Sequence, residues 1–442
     1  MTPVRVRAAR ALVAVERRRR TLAAELEHAR RDLDDERDRG LLLELTAGVC
    51  RWRAELDAVI TQCSSRPIAA IDDETLATLR LAVYQLRHLD RVPDHAAVHG
   101  AVEAAKALAG DRAGGFVNGV LRGYLRTQAA INLPAPPGPD ATRRQHLAYL
   151  AVTHSHPKWL VARWLDRYGY ADTLAWCVFN NQSPDVTVRT LAPEQDTVTW
   201  LSERGVPATR GRFAPEVATL APGVLGELAA DVKLSLAIQD EGSALVAHVV
   251  GAQPDDHVLD VCAAPGGKSV VVWNDMQQRG LLVSSDVRPA RLHLLRQTLR
   301  TGGAPPRVVG LDATAPLPFG EVFDRVLVDA PCSGLGTLRR DPDIKWSVVL
   351  EDLPGFAAEQ LRILRHAADV VRPGGTLVYA TCSSEPDENE QVVDQFLALD
   401  SRFVREPWTG PGAEPDGCLR TRPTRDGLDA FFAARLVRRT PA

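Results

Sequence analysis

The sequence predicts an α/β protein: a doubly wound domain with a mostly parallel sheet, preceded by a small α/β module and an N-terminal all-α bundle. Three observations carry this reading. From about Ser235, short apolar runs (HVLDV, LLVSSD, RVVGLD, FDRVLVDAP, TLVYAT) alternate with helical stretches such as RPARLHLLRQTLRTG. That rhythm belongs to a parallel sheet with helices on both faces. Residues 1–130 instead read as helices joined by short turns. Between the two lies NLPAPPGPD (Asn132–Asp140), whose four prolines and one glycine make a stiff stretch short of donors.

Taken in order, DDETLATLRLAVYQLRHL sets Leu76, Leu79, Val83 and Leu86 on one helical face. Pro93-Asp94 starts a second helix that Gly110 ends, and FVNGVLRGYLR (Phe116–Arg126) makes a third. After the prolines, HPKWLVARWLDRYG (His156–Gly169) predicts a helix, VTVRTL (Val186–Leu191) a strand and DTVTWLSERG (Asp196–Gly205) a helix. The expected division is 1–130 for the bundle, 131–143 for a linker, 144–234 for the small module and 235–442 for the doubly wound domain. No repeat of fixed period interrupts it.

Composition sets the class. A chain of 442 residues, 45% apolar and 25% charged, has room for two or three domains with sizeable cores. No run approaches the roughly 18 apolar residues of a membrane span, and MTPVRVRAAR holds basic residues without the apolar stretch of a secretion signal. Seven scattered cysteines, an odd number without zinc-type CxxC pairs, fit reduced thiols in a cytoplasmic protein better than disulfides or a metal site. Residues 1–130 carry 21 Lys/Arg against 18 Asp/Glu, and the remainder is net acidic. The run Glu16–Arg20 (ERRRR) reads either as a solvated helix face or as an RNA contact, so charge leaves the partner open.

Chemistry concentrates in three loops. LDVCAAPGGKS (Leu259–Ser269) follows the first strand of the doubly wound domain. It is neither GxGxxG nor a Walker A loop, because Cys262 stands where GxxxxGK needs its first glycine. Its small residues would let backbone approach a ligand. Asp286 ends the second strand, where a carboxylate suits ribose hydroxyls, Asp312 follows the third near where an adenine would lie, and Asp329 ends the fourth. Each alone could be a cap or turn residue; together they form a rim. Cys332 in VDAPCSGLG and Cys382 in VYATCSS each follow a strand end, so both thiols face one ligand crevice. Two thiols beside a cofactor loop point to covalent chemistry in which one attacks and the other helps finish. Cys50, Cys63, Cys177 and Cys418 read as core or incidental thiols, Cys262 as packing beneath its loop, and His154 and His156 as structural.

Assembled, DVCAAPGGKS, DAPCSGLGTLRRDPDIKW and ATCSSEPDENE resemble the RsmB/Sun (Fmu) family of NOL1/NOP2/Sun-type RNA cytosine-5 methyltransferases. LRLAVYQLRHLDRVPDHAAVHGAVEAAK and GFVNGVLR are similar to the NusB-like RNA-binding domain of that family, and QDEGSALVAHVV to the helix that leads into its catalytic domain. The resemblance implies a Rossmann-like class I methyltransferase domain with a seven-stranded sheet, an RRM-like small module and a NusB-like bundle. It implies S-adenosylmethionine as cofactor, no metal, no membrane, 16S rRNA as partner and a monomer. Carried over, Cys262, Ala263, Ala264, Pro265, Gly266, Gly267 and Lys268 would hold the methionine end and ribose of the cofactor. Asp286 would take the ribose hydroxyls, Asp312 would lie near the adenine, and Asp329 would stand between cofactor and base. Cys382 would be the nucleophile and Cys332 the residue that promotes release.

Arg339, Arg340 and Lys345 read either as RNA contacts or as surface ion pairs. One departure stands out: in GLDAFFAARL, Leu428–Ala430 separate Gly427 from Phe431 where relatives have an uninterrupted DGFF, a change expected in a hairpin. The same chemistry on tRNA or another RNA, and an RNA-binding or antitermination factor with a vestigial catalytic half, are the competing readings. Against the latter, Asp260, Lys268, Asp286, Asp329, Cys332 and Cys382 are all intact. A dehydrogenase lacks its GxGxxG.

Overall fold

Helices fill the N-terminal third because their apolar residues recur at helical spacing and their ends are capped. In the computed structural model, which describes residues 4–18, 20–31, 33–191, 195–221, 223–305 and 307–441, helix Asp73–His88 starts where the Asp72 carboxylate accepts the Thr75 N–H at 2.9 Å. It buries Leu76, Leu79 and Val83 against Leu42, Leu45, Leu56 and Ile60 of helix Glu36–Cys63, with Leu86 half-buried at the edge. Gly110, at φ +88°, separates helices Asp94–Ala109 and Asp111–Thr127; only glycine adopts that turn without strain.

The chain divides into two compact units, Met1–Ser183 with Leu338–Leu350, and Pro184–Thr337 with Glu351–Ala442. The proline stretch lies inside the first unit. Gln62 grips the Asn132 backbone through both its amide oxygen and nitrogen, and Thr153 Oγ donates to the Pro134 carbonyl. The predicted helix from His156 begins at Lys158 and runs past Gly169 to Asn180, breaking at Gly169 (φ +73°). Trp164 and Trp176 stack across the break at 5.0 Å, and the helix resumes where the sequence suggested an end.

The second unit holds two sheets. Four short strands, β1 (Val186–Thr190), β2 (Ala208–Arg210), β3 (Ala218–Leu220) and β4 (Leu236–Ile238), pair antiparallel in the order β2-β3-β1-β4. Then come β5 (His257–Asp260), β6 (Leu281–Asp286), β7 (Val308–Gly310), β8 (Phe323–Asp329), β9 (Val371–Thr381), β10 (Phe403–Glu406), β11 (Leu419–Arg420) and β12 (Phe432–Arg438). Seven of them run in the order β10-β12-β9-β8-β5-β6-β7, with two-residue β11 added beside β12. The five strands from β9 to β7 are parallel; β12 pairs antiparallel with β9, and β10 antiparallel with β12. Val326, Leu327 and Val328 of β8 are fully buried, each worth about 1.5–3 kcal/mol of transfer from water.

From β5 the chain builds outward to β6 and β7, then crosses back to lay β8 and β9 on the other side of β5. The carboxyl ends of β5, β8 and β9 therefore flank the point where the winding reverses, the place such sheets reserve for ligands. Among the described residues no helix is long and apolar enough to cross a membrane.

Candidate active site

Strand pairing sets the site. In register, Asp260 lies opposite Leu327 and Asp329 opposite Ala380, so the segments after β5, β8 and β9 leave the sheet side by side. These carry Cys262–Lys268, Asp329–Cys332 and Cys382.

The first loop turns through Gly266 (φ +108°) into helix Gly267–Asp275. A Cβ at Gly266 would press on Leu295 Cδ1 at 2.8 Å, and the left-handed backbone there favours glycine. Ala263 N–H donates to the Ser285 carbonyl at 2.8 Å, fixing the loop to β6. Cys262 is partly exposed and packs against the sheet core, and burial raises its thiol pKa.

Below that loop, Asp260 is buried and accepts from Ser269 Oγ at 2.6 Å, while its other oxygen has no hydrogen-bond partner. Burial, with Asp329 and Asp286 nearby, pushes its carboxyl up to about 7. Lys268 Nζ donates to Asp329 Oδ2 at 2.7 Å and lies 5.8 Å from the Phe431 ring centre. Burial works to discharge Lys268, but the Asp329 carboxylate outweighs it, aided by Cys382 and Asp260, and holds the ammonium above the ordinary lysine value.

The two thiols meet. Cys332 Sγ and Cys382 Sγ, both partly exposed, share a hydrogen bond at 3.2 Å. That bond, burial and the Glu388 carboxylate raise the Cys332 thiol well above its usual value. Gly336 N–H donates to the Cys382 carbonyl at 2.9 Å, and the Ala430 N–H to the Gly336 carbonyl at 2.9 Å. A Cβ at Gly336 would collide with the Ala430 carbonyl oxygen and lie 2.7 Å from that of Cys382. The unusual GLDAFF stretch therefore reaches the site: Ala430 clamps the first thiol loop and Phe431 covers Lys268.

Asp286 is buried at the end of β6; it accepts from Arg288 N–H at 3.0 Å and faces the Arg291 guanidinium at 3.4 Å. Asp312 is exposed and spends one oxygen on its own turn, accepting from Thr314 N–H at 2.9 Å and Oγ at 2.7 Å, bonds that lower its pKa.

The basic trio has partners of its own. Leu338–Leu350 belongs to the first unit, where Lys345 is 1% exposed and its ammonium donates to the carbonyls of Arg51 and Ser155 and to Asn181 Oδ1. Arg339 is buried with its guanidinium 4.2 Å from the Phe179 ring centre, whereas Arg340 is half-buried. Lys345 and Arg339 thus fasten protein to protein. A donor in an LRRDPDIKW string looks the same in sequence whether it ends in a carbonyl cage or in solvent.

Glu16 and Arg17 of the ERRRR run also serve the first unit, Glu16 pairing with Arg53 and Arg80, and Arg17 with Asp73 and Glu74; Arg19 lies outside the described residues. His156 is buried, bonded to the His154 carbonyl and Asn180, in the structural role expected. Sequence reasoning missed Glu388 and Asn389, although both sit in the quoted string ATCSSEPDENE. Among the described residues no cluster of three or more metal-ligating side chains occurs.

Similarity to known proteins agrees with this architecture. Residues 247–437 match the family described as 16S rRNA methyltransferase RsmB/F, residues 2–126 the NusB family, and residues 156–224 the ferredoxin-like domain of RsmF/B-like methyltransferases. Ribosomal RNA small subunit methyltransferase B of Sodalis glossinidius is 33% identical over 447 residues, spanning 99% of this chain and 98% of its own. The protein of that name from Pseudomonas syringae is 31% identical, spanning 98% and 96%. Of solved structures, PH0851 superposes with a TM-score of 0.80 at 23% identity over 99% of both chains. A methyltransferase homologue from Pyrococcus horikoshii gives 0.57 at 24% identity over 67% of this chain and all of that one. Both share the fold. With the three-loop site, the sheet order and relatives matched end to end, the chain belongs to the RsmB/F family of 16S rRNA methyltransferases.

Proposed function

We propose that this protein methylates carbon 5 of a cytosine in 16S rRNA, with Cys382 as nucleophile and Cys332 assisting release. The observation that carries the reading is the pair of sulfurs 3.2 Å apart beside the Lys268–Asp329 ion pair. Two thiols within hydrogen-bond reach allow one to hand over a proton as the other bonds.

The residues present fit S-adenosylmethionine. Gly266, at φ +108°, lets the loop after β5 turn tightly into helix Gly267–Asp275, with buried Asp286 and part-exposed Asp329 at the ends of β6 and β8, the strands on either side of β5. Cys262–Lys268 would hold the methionine end and ribose, Asp286 the ribose hydroxyls, with Asp312 at the adenine rim. The bound cofactor supplies an electrophilic methyl group. Cys382 forms its sulfur–carbon bond at carbon 6 of the base, which makes carbon 5 nucleophilic enough to accept that methyl group. The Lys268 ammonium, which donates to Asp329 Oδ2, stabilises the negative charge that grows on the N3 side of the ring. Cys332, or a water it holds, then removes the carbon 5 proton, the carbon 6–sulfur bond breaks and Cys382 leaves as thiolate.

A base in a stem must leave its stack to reach Cys382. The NusB-like bundle (1–130) and the small module (144–234), joined by 131–143 and followed by the catalytic domain (235–442), would hold the RNA meanwhile. The test mixes the protein with labelled S-adenosylmethionine and unmodified 16S rRNA, followed by a denaturing gel and mapping of 5-methylcytosine. Wild type should methylate, Cys382→Ala should not, and Cys332→Ala should accumulate a covalent protein–RNA band. Binding of this RNA without methyl transfer would move a different RNA, or a binding factor, to the front.

A further inference from the structure

Each thiol is followed by a serine, Cys332-Ser333 and Cys382-Ser383, and both serines turn to one carboxylate. Glu388, fully buried at the end of the turn Pro386–Glu388, accepts Ser333 Oγ at 2.5 Å and Ser383 Oγ at 2.6 Å on the same oxygen, Oε2. Its Oε1 accepts Ser333 N–H at 2.8 Å and Gln360 Nε2 at 2.9 Å. The hydroxyls themselves stand 3.3 Å apart. Four donors satisfy both oxygens, so the carboxylate is held in one orientation. Asn389 seconds the grip, accepting from Thr381 Oγ and donating to the Ser383 carbonyl at 3.0 Å.

We propose that Glu388 is the positioning residue that fixes the spacing of the two thiols, joining two loops 50 residues apart through the serine next to each cysteine. It touches neither base nor cofactor; it acts through Ser333 and Ser383. Its role in the methyl-transfer reaction rests on the two-thiol reading above, whereas its control of thiol spacing does not. A fully donated carboxylate tolerates no neutral replacement: glutamine brings an NH2 group to one of two positions that already face donors.

The test is Glu388→Gln with two readouts. In the absence of RNA, diamide oxidises the full chain: Cys332 and Cys382 give up two protons and two electrons as a disulfide forms, and diamide becomes its hydrazine. Peptide mapping follows that one disulfide in time. Closure should slow by about tenfold or more, because sulfurs no longer held at 3.2 Å must search for each other. Methyl transfer to 16S rRNA should lose about 100-fold in kcat with KM for RNA and S-adenosylmethionine within about threefold.

Closure within about threefold of wild type overturns the proposal, as does slowed closure with unchanged kcat. If wild type transfers no methyl group to cytosine, the two-thiol reading fails while the closure rates still report on Glu388. Should Glu388→Gln not fold, Ser333→Ala and Ser383→Ala each remove one arm of the bridge. Both closing at the wild-type rate would then overturn it.

Discussion

Lys268→Met removes the ammonium from the Lys268–Asp329 pair while keeping most of the side-chain volume. The two side chains are 13% and 29% exposed, joined at 2.7 Å. Breaking a fully buried pair costs about 3–5 kcal/mol, since the remaining charge stays unpaired in a poorly solvated place. Water reaches part of Asp329, so the expected cost is about 2 kcal/mol. At about 2–4 °C per kcal/mol for a domain of 150–250 residues, melting should fall by about 4–8 °C.

The chemical loss should be far larger, about 10²–10⁴ in kcat, because the pair also supplies the proton side of the reaction. The decisive sample is the double variant Lys268→Met/Asp329→Asn. It carries no unpaired charge, so it should recover most of the melting temperature and none of the activity. Calorimetry and single-turnover methyl transfer on wild type and the two variants separate the two effects. If the double variant recovers both, the pair only stabilises the fold. If Lys268→Met melts with wild type, the pair is uncoupled from stability and the electrostatic reasoning is wrong.

Two further outcomes follow from charges outside the site. His248 sits between Asp275 at 2.9 Å and Glu216 at 2.7 Å; burial opposes its charge but these carboxylates win, raising its pKa to about 10. A folded-state value above the unfolded one stabilises fully below about pH 6.5 and is lost as pH rises toward 10. Urea midpoints should therefore fall between pH 7 and 9.5 by an amount that His248→Gln largely abolishes, and an identical pH slope in that variant would refute the assignment. Lys345→Met leaves the Arg51 and Ser155 carbonyls and Asn181 without their donor, at about 1–3 kcal/mol. It should lower the melting temperature yet leave the salt dependence of rRNA affinity unchanged, whereas a phosphate-contacting lysine would reduce the log–log slope by about 1.

Much of the fold is legible in the sequence. The strand runs of the catalytic half are apolar end to end because both sheet faces are covered, so HVLDV, LLVSSD, FDRVLVDAP and TLVYAT all announce themselves. Position then follows from winding: loops after parallel strands share one edge, which is how Cys262–Lys268, Asp329, Cys332 and Cys382 could be grouped from sequence. RVVGLD shrank to the three residues Val308–Gly310 at the sheet edge, where only one neighbour holds a strand.

What the chain by itself determined is therefore periodic or covalent: where the helices and strands lie, which residues end them, and that two thiols follow two strand ends. The tertiary structure alone decided partners. It put the sulfurs 3.2 Å apart, aimed Ser333 and Ser383 at one Glu388 oxygen, and sent Lys345 into a cage of carbonyls rather than to solvent. The reason is physical. Periodicity is a local property of a few neighbouring residues, whereas a hydrogen bond between groups 50 or 294 positions apart depends on how whole elements pack, and no local pattern encodes that distance.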